Sequence, residues 1–457
     1  MTTPLTTDIA IIGAGTAGLT AFHAITQAGK SALLIDRGPL GTTCARVGCM
    51  PSKATLHAGQ RWASLRALLH GTPTGSGAAT PDSLWQHARD TRDLLAAGAA
   101  QRTVAAAGDR LLMGTARFTG PRTVEVDGRS VTAQAFIVAT GSRPIVPAAL
   151  VALGDRVLTT DTLFDLETLP GSIGILGLGA IGLEMGLALA RLGVRVIAGD
   201  LKTSLAGITD PEVNARAIQH FGSELTMWLG QPLEARAEGQ SIALHSGCEN
   251  KVVDRVLAAL GRRPNLEALN LLQAGIRFDA QGRPAFDSTT LRAADSCIFL
   301  AGDVTADRPL MHEAADEGLI AAQEALQLID GHRLIAQSRR TPLSIVFSDP
   351  DIVAVGETFD SLAAADIVIG TAQGTGNGRS RILGAESNLV RVYADRASGR
   401  LRGASLIATH GEHLAHLLAW AIQRGETVEG LLAMPYYHPS IEEMVQSALK
   451  DAARQMH

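Results

Sequence analysis

Two cysteines near the start of the sequence have a spacing suited to redox chemistry. Cys44 and Cys49 are separated by four residues, and Pro51, a residue favoured in the first turn of a helix, follows them. The dipole and unpaired amides of a helix N-terminus favour the thiolate, which is the reactive form of cysteine. The spacing is compatible with a strained, reducible disulfide. A zinc site is disfavoured, because Cys248 and Cys297 show no second paired spacing.

A histidine near the other end of the sequence could supply the acid–base chemistry that disulfide exchange needs. The departing thiol must gain a proton and the attacking thiol must lose one, and histidine has a pKa near neutrality. His438 lies in the segment YYHPSIEEM, and Glu443 follows five residues later. Glu443 could orient the imidazole and stabilise its protonated form, with Glu442 as the competing carboxylate.

An internal repeat predicts binding sites for two dinucleotides. Two segments, beginning at Asp8 and Gly171, each combine an apolar strand, a G-x-G-x-x-G turn, an amphipathic helix and a second apolar strand. The glycines are Gly13, Gly15 and Gly18 in the first copy and Gly177, Gly179 and Gly182 in the second. In this motif the first glycine permits the turn, the second admits a pyrophosphate and the third allows close helix packing. Asp36 and Asp200, each 23 residues after the first glycine of its copy, could accept hydrogen bonds from ribose hydroxyls.

The composition excludes several classes of protein. The 457 residues carry 40 basic and 45 acidic side chains, a net charge of −5, which argues against a nucleic-acid partner. The sequence contains no run of eighteen apolar residues, so no membrane span is predicted, and no secretory signal is visible. Four cysteines cannot form a secreted disulfide framework, so we expect a cytoplasmic protein. The 48 glycines against seventeen aromatic residues suit an α/β protein whose backbone approaches phosphates.

The pattern along the chain predicts an α/β fold with two Rossmann-like dinucleotide-binding domains and a C-terminal α+β domain. The first domain spans residues 1–150 and closes when residues 264–334, with the strand SCIFLAGD ending at Asp303, return to it. The second domain spans 151–263, and strands LSIVF, DIVAVG and NLVRVYA open the third, at 341–457. The low-complexity segment from Gly71 to Ser83 reads as a flexible surface loop.

The segment GTTCARVGCMPSK resembles the signature of the pyridine nucleotide–disulfide oxidoreductases, and especially that of the dihydrolipoamide dehydrogenases. The resemblance covers essentially the whole chain. It continues through the motifs AFIVATGSRP, ALGRRPN, FLAGDV and YHPSIEE, in that order. It implies that the first dinucleotide is FAD and the second NAD, and that the C-terminal domain forms a homodimer.

The resemblance also implies roles for individual residues. Cys44 would be the interchange thiol nearer the substrate, and Cys49 the charge-transfer thiol against the flavin. Lys53 would lie near flavin N5 and pair with Glu184, which would meet the nicotinamide. The implied FAD contacts are Gly13, Gly15, Gly18, Asp36, Thr42, Thr43, Lys53, Ala116, Thr140, Gly141, Asp303 and His312. The implied NAD contacts are Gly177, Gly179, Gly182, Glu184, Asp200 and Gly261. His438 and Glu443, favoured over Glu442 by the motif spacing, would complete the partner subunit's site.

The choice of cofactor and substrate depends on shorter features. Asp200 favours NAD because a carboxylate repels a 2′-phosphate, although Lys202 nearby could partly accommodate one. No cysteine follows Cys297, unlike in mercuric reductases and large thioredoxin reductases. Glutathione reductases usually carry lysine where Ser52 stands. These features favour oxidation of protein-bound dihydrolipoamide to lipoamide with reduction of NAD to NADH, so the expected partner is a lipoyl-carrying protein.

Three departures from the family pattern leave a different small disulfide open as substrate. Thr42 replaces a glycine and should stiffen the loop beside the FAD pyrophosphate, Tyr436 replaces a second histidine, and Ser440 replaces a threonine. One alternative is an NAD(P)H-dependent reductase of a glutathione-like disulfide. An alternative of another class is a non-catalytic nucleotide-binding flavoprotein, which would need neither the cysteine pair nor the histidine–glutamate pair.

Three histidines invite a metal interpretation that the sequence does not favour. His410, His413 and His416 recur every three residues and could lie on one helix face. Glu412 is expected to point away from that face, and no other partner has metal-ligand spacing. We therefore expect a solvated or interface helix and no metal site.

Overall fold

The computed structural model describes residues 4–69 and 79–456. Residues 71–78 of the predicted surface loop lie outside the described residues. The strands are β1 (Leu5–Ile12), β2 (Ala32–Asp36), β3 (Leu111–Met113), β4 (Ala116–Gly120), β5 (Thr123–Val126), β6 (Arg129–Val138), β7 (Ser142–Pro144), β8 (Val157–Leu158), β9 (Ser172–Leu176), β10 (Arg195–Asp200), β11 (Thr226–Leu229), β12 (Glu234–Glu238), β13 (Ser241–Ser246), β14 (Glu249–Val253), β15 (Arg255–Ala258), β16 (Arg262–Pro264), β17 (Ile298–Leu300), β18 (Leu343–Val346), β19 (Asp351–Gly356), β20 (Ile367–Gln373), β21 (Leu389–Asp395) and β22 (Leu401–Ala408). The α-helices are α1 (Thr16–Gln27), α2 (Thr43–Val47), α3 (Cys49–Leu69), α4 (Pro81–Ala107), α5 (Ala148–Val151), α6 (Thr160–Leu163), α7 (Ala180–Arg191), α8 (Pro211–Phe221), α9 (Met311–Ile329), α10 (Gly378–Ile382), α11 (Gly411–Arg424), α12 (Val428–Leu432) and α13 (Glu443–Met456).

The chain divides into two compact units, and the first is built on a mixed sheet. This unit comprises Met1–Pro51, Arg89–Ile145 and Gly261–Arg339. Strands β3, β2, β1 and β6 are parallel, β5 and β4 extend the sheet with antiparallel pairing, and β17 pairs with β6 in parallel. The strand predicted in SCIFLAGD thus returns to the first sheet. Helix α1 connects β1 to β2 and packs against α9 so closely that a Cβ on Gly318 would overlap the backbone of Ala17.

The second unit contains a parallel sheet and two antiparallel sheets. It comprises Ser52–Ala88, Val146–Leu260 and Arg340–His457. The parallel sheet has the order β11-β10-β9-β15-β8, with α7 connecting β9 to β10, and β12-β13-β14 form a small antiparallel sheet. The C-terminal sheet has the order β18-β19-β22-β21-β20 and is antiparallel throughout. The strands predicted in LSIVF, DIVAVG and NLVRVYA are β18, β19 and β21. The predicted fold class is confirmed.

A buried carboxylate joins helix α8 to the C-terminal sheet of the second unit. Asp210 has no exposed surface and caps α8 by accepting hydrogen bonds from the amides of Glu212 (2.9 Å) and Val213 (3.2 Å). Its other oxygen accepts from Arg391 Nε and from the hydroxyl of Tyr393 in β21, both at 2.7 Å. A charge this deeply buried is tolerated only when it is paired and fully hydrogen-bonded, so these contacts hold α8 against β21.

No helix in the described part of the chain is long and apolar enough to cross a membrane.

Candidate active site

The first glycine fingerprint leaves no room for side chains at two of its three glycines. Gly13 has a φ of +112°, and a Cβ on it would overlap the carbonyl oxygen of Ala139, which follows β6. A Cβ on Gly18 would overlap the carbonyl oxygen of Gly13. Both glycines are therefore required by packing of the polypeptide itself, which brings α1 against the end of β1.

The second fingerprint repeats this arrangement in the other unit. Gly177 has a φ of +97°, and its missing Cβ would crowd the carbonyl oxygen of Ala259 after β15. A Cβ on Gly182 would overlap the carbonyl oxygen of Gly177. The repeat found in the sequence is thus a repeat of backbone geometry.

The middle glycines of the two fingerprints are different, because nothing in the polypeptide requires them. A Cβ on Gly15 or Gly179 would meet no atom within 4 Å, and both residues have an ordinary negative φ. Each stands at the N-cap of its helix and offers no side chain to cap the first amides. Space beside uncapped helix amides is what a pyrophosphate requires, so both sites fit a dinucleotide.

A backbone amide of each fingerprint donates a hydrogen bond to the acid that ends the second strand. Asp36 Oδ2 accepts a hydrogen bond from the amide of Ala14 (2.6 Å), and its Oδ1 accepts from that of Gly38 (2.6 Å). Asp200 likewise accepts from the amides of Leu178 (2.7 Å) and Lys202 (2.8 Å). The sequence predicted only ribose binding for these acids. Because a carboxylate has about four acceptor positions, each acid keeps capacity for ribose hydroxyls.

Asp303 is positioned by a residue that the sequence did not single out. The Ser142 hydroxyl donates to Asp303 Oδ2 (2.7 Å), and Arg262 donates through Nε to Ser142 Oγ (2.8 Å) and through Nη2 to its carbonyl (2.9 Å). These residues belong to the motifs ATGSRP and ALGRRPN, so the motifs were the available signal. The contacts fix one carboxylate oxygen of Asp303.

A buried glutamate in α9 supports the same turn. Glu317 is 1% exposed, and its Oε2 accepts from the amide of Gly302 (2.7 Å), immediately before Asp303. Burial raises the pKa of Glu317 to about 7, although Arg339 Nη2, 2.9 Å from its Oε1, opposes the rise. No sequence motif identified this contact, because it depends on the packing of α9.

The other predicted FAD contacts lie at several places in the first unit. Thr140 Oγ1 donates to the carbonyl of Asn265 (2.8 Å), and Gly141, with a φ of +66°, accepts from the Asn265 amide (2.9 Å). Ala116 is the first residue of β4 and is buried. His312 is half-exposed in the first turn of α9.

One predicted NAD contact, Gly261, belongs to a different unit of the chain from the three fingerprint glycines. Gly261 belongs to the first unit, where its carbonyl accepts from the amide of Ile145 (3.0 Å). Gly177, Gly179 and Gly182 belong to the second unit.

The two cysteines lie at the starts of consecutive helices. Cys44 is the second residue of α2, and Cys49 is the first residue of α3. Gly48 between them packs on the preceding turn: a Cβ there would lie 3.1 Å from the Thr43 carbonyl oxygen and 3.2 Å from Cys44 Cα. Both cysteines are half-buried. Glycine at position 48 therefore lets the chain turn tightly between the two helices.

Thr42 adopts a backbone conformation that a β-branched residue rarely tolerates. Its φ is +57° and its ψ is 150°, while its hydroxyl caps α2 by accepting from the amide of Ala45 (3.2 Å). Positive φ at a non-glycine residue is strained, and such strain concentrates at functional sites. Threonine in place of glycine at position 42 therefore adds backbone strain, and a cap for α2, at the turn before Cys44.

Lys53 and Glu184 form an ion pair in the second unit. Lys53 Nζ lies 2.8 and 2.9 Å from the two oxygens of Glu184, a buried residue of α7. The amide of Phe347 also donates to Glu184 (3.1 Å), and the lysine lies over the Phe347 ring, 4.6 Å from its centre. The predicted pair is thus formed and held in one position. Lys53 follows Cys49 by one turn of α3.

His438 and Glu443 also pair directly. His438 Nδ1 lies 3.0 and 3.1 Å from the two oxygens of Glu443, the first residue of α13, and Glu443 also accepts from the amide of Ser440 (3.0 Å). The hydrogen bond from the Ser440 amide, followed by the one from His438, lowers the pKa of Glu443. The His438 side chain is 78% exposed. The carboxylate in contact with His438 is that of Glu443 and not that of Glu442.

A substitution at the middle glycine should separate cofactor binding from folding. Gly15→Ala introduces no clash with the protein, so we expect unchanged thermal stability without cofactor but at least about tenfold weaker FAD binding, about 1.4 kcal/mol. The measurement is FAD affinity by flavin fluorescence. Gly120→Ala is the control, because Gly120 lies in the same unit and also has open space. Equal FAD affinity of both variants would contradict this interpretation of Gly15.

Two substitutions at Thr42 should change stability in opposite directions. Thr42→Gly removes strain of about 1–3 kcal/mol, and replacing threonine by glycine at an N-cap costs little stability. We therefore expect a higher thermal midpoint. Thr42→Ala keeps the positive φ and loses a cap contributing about 1 kcal/mol, so we expect a lower midpoint. Calorimetry of the full-length protein with saturating FAD measures both. The reverse order of the two midpoints would show that Thr42 is not strained.

The comparisons with known proteins agree with this geometry. Residues 7–318 match the pyridine nucleotide-disulphide oxidoreductase family, and residues 343–449 match the dimerisation domain of that family. The chain is 30% identical to a dihydrolipoyl dehydrogenase of Thermus scotoductus over 99% of this chain and 98% of that protein. It is 28% identical to dihydrolipoyl dehydrogenase 3 of Haloarcula marismortui, over 98% and 96% of the two chains.

Two solved structures share the fold. The HOCl-induced flavoprotein disulfide reductase RclA of Escherichia coli superimposes with a TM-score of 0.83 at 22% identity, covering 97% of this chain and 99% of RclA. LpdA of Mycobacterium tuberculosis gives a TM-score of 0.84 at 23% identity, covering 99% and 100%. The chain belongs to the pyridine nucleotide-disulphide oxidoreductase family, as a flavin disulfide oxidoreductase of the dihydrolipoyl dehydrogenase type with FAD and NAD as cofactors.

Proposed function

We propose that this enzyme oxidises protein-bound dihydrolipoamide to lipoamide and reduces NAD to NADH. The observation that carries the proposal is the exposed His438 imidazole held by Glu443, because thiol exchange at the cysteine pair needs a base of this kind. A protein that merely bound two dinucleotides would need the glycine fingerprints alone. Whole-length similarity to dihydrolipoyl dehydrogenases supports the lipoyl substrate.

The protonation of the pair follows from its hydrogen bonds. Because the pKa of Glu443 is lowered, its carboxylate is ionised and can only accept a hydrogen bond from the imidazole. His438 Nδ1 therefore carries the proton, which leaves Nε2 as the acceptor. Glu443 is thus the positioning residue and His438 the base.

The proposed thiol chemistry begins with a disulfide between Cys44 and Cys49. One thiol of the substrate gives its proton to His438 Nε2 and attacks the sulfur of Cys44, so that Cys49 leaves as a thiolate. The second substrate thiol then attacks the first substrate sulfur, and Cys44 leaves and takes the proton held by His438. The proton of the second thiol replaces it on His438 Nε2. The substrate, oxidised by two electrons, is released as a disulfide, and the cysteine pair is left reduced.

The proposed cofactor sites follow the two fingerprints. We assign residues 1–150 with 264–334 to FAD, 151–263 to NAD and 341–457 to the dimer interface. Pairing of β17 with β6 supports the return of the third segment to the first sheet. When bound, FAD supplies the redox chemistry that carries the two electrons from the cysteines to NAD. Lys53, held by Glu184, would place a positive charge near the flavin.

A substrate panel tests the proposal on the FAD-loaded, full-length enzyme. We expect turnover of dihydrolipoamide with NAD and little turnover of oxidised glutathione with NADPH. His438→Gln should lower kcat by about 10²–10⁴-fold, the usual contribution of a positioned base. Glu443→Gln should lower it less, and Glu442→Gln, as the matched control, should leave it unchanged. Anaerobic reduction should give a long-wavelength thiolate-to-flavin absorbance band that Cys49→Ser abolishes.

The outcomes separate the alternatives. Turnover of glutathione disulfide in place of dihydrolipoamide would replace the lipoyl substrate with another small disulfide. No turnover and no long-wavelength band would indicate the non-catalytic flavoprotein. Equal losses in Glu443→Gln and Glu442→Gln would contradict the role given to Glu443.

We also propose that His438 acts in the partner subunit's site of a homodimer. The match of residues 343–449 to a dimerisation domain and the 78% exposure of His438 support this arrangement. Co-expression of a Cys44→Ser chain with a His438→Gln chain tests it. If His438 acts across the dimer, the isolated heterodimer has one intact site and should be active, while both variant homodimers are inactive. An inactive heterodimer would show that His438 serves its own subunit.

A further inference from the structure

Three potential metal ligands meet at the start of α11, far along the chain from the cysteine pair. One ligand atom each from His410, Glu412 and His413 lies within 4.8 Å of the others. This differs from the expectation that Glu412 points away from the histidines. The reason is that His410 precedes the helix as a left-handed N-cap residue, with a φ of +57°, so its side chain does not follow helical spacing.

His416, the third histidine of the sequence cluster, is engaged elsewhere. Its Nδ1 donates to the carbonyl of Glu412 (2.7 Å), and its ring packs edge-on against Trp420. The structure therefore replaces a row of three histidines with a group of two imidazoles and one carboxylate. Imidazole and carboxylate together suit Zn²⁺ and similar transition-metal ions better than Mg²⁺ or Ca²⁺, which prefer oxygen ligands alone.

A buried aspartate holds the backbone of Glu412, the residue that supplies the carboxylate of this group. Asp351, the first residue of β19, is 7% exposed, and its Oδ2 accepts from the amide of Glu412 (3.2 Å). Gly411 permits this approach, because a Cβ there would lie 2.8 Å from Asp351 Cβ.

The Glu412 carboxylate also lies beside the second histidine of the group. Its Oε1 is 3.7 Å from His413 Nε2.

We propose that His410, Glu412 and His413 bind one Zn²⁺-like transition-metal ion per chain, with Asp351 as the residue that positions Glu412. Tetrahedral zinc with bonds of about 2.0–2.1 Å places its ligand atoms about 3.4 Å apart, closer than the present limit of 4.8 Å. The exposed His413 side chain, 67% accessible, can rotate to close this gap. Water would fill the fourth position, and the ion would join the turn after β22 to the first turn of α11.

Cobalt titration of the FAD-loaded, full-length protein tests the site directly. Cys44, Cys49 and Cys248 are replaced by serine to remove competing thiols. We expect Co²⁺ to saturate at one ion per chain with the visible absorbance of tetrahedral coordination, and Zn²⁺ but not Mg²⁺ to displace it. His410→Ala, His413→Ala and Glu412→Gln should each weaken binding by at least about tenfold. His416→Ala is the matched control on the same helix and should bind as the parent does.

Two further measurements keep the proposal falsifiable where a variant is unstable. Asp351→Asn should weaken Co²⁺ binding by about 10–100-fold, as expected for a residue that positions a ligand. Zn²⁺ should raise the thermal midpoint of the parent protein but not that of the His410→Ala/His413→Ala double variant, because only the parent binds it. Absence of saturable binding, or equal losses in His413→Ala and His416→Ala, would overturn the proposal.

Discussion

Both cofactor-binding parts of this enzyme depend on one steric constraint, the close approach of a helix to the carbonyl oxygen of the first glycine of its fingerprint. Gly18 and Gly182 meet the carbonyls of Gly13 and Gly177 with no room for a Cβ. Any side chain at these positions would push the helix away from the strand. The amides at the helix N-terminus would then no longer point at the space above the sheet, where a pyrophosphate is expected to lie.

The acids of the site follow a second rule, which is that each is fixed by a donor from elsewhere in its own unit. Backbone amides hold Asp36 and Asp200, and Ser142 holds Asp303. Lys53 and the Phe347 amide hold Glu184. A carboxylate fixed in this way keeps its direction, which is what a ribose hydroxyl or a lysine ammonium needs from it. The His438–Glu443 pair applies the same rule to a proton acceptor.

Much of the fold could be predicted from the sequence, because its strands and glycine turns are local patterns. The β–α–β units at Gly13 and Gly177 and the C-terminal strands were visible as apolar runs between turn residues. Contacts between distant segments were not visible. Ser142 and Arg262 belong to motifs that the sequence showed, but the hydrogen bonds from Arg262 to Ser142 and from Ser142 to Asp303 join residues 120 and 161 positions apart in the chain. Glu317 and Asp351 belong to no motif, and their importance comes from the hydrogen bonds that they accept where they are buried.

The sequence by itself determined the chemistry: a cysteine pair, two dinucleotide fingerprints and a histidine followed by a glutamate. These depend on residue type and short spacing, which a linear pattern retains. The tertiary structure alone decided which neighbours orient those groups and under what strain. Thr42 shows this at one residue, since only the backbone reveals its positive φ. Glu412 shows it for a cluster, since a left-handed residue at His410 moves one imidazole off the helical period and leaves it near the carboxylate of Glu412 and the imidazole of His413.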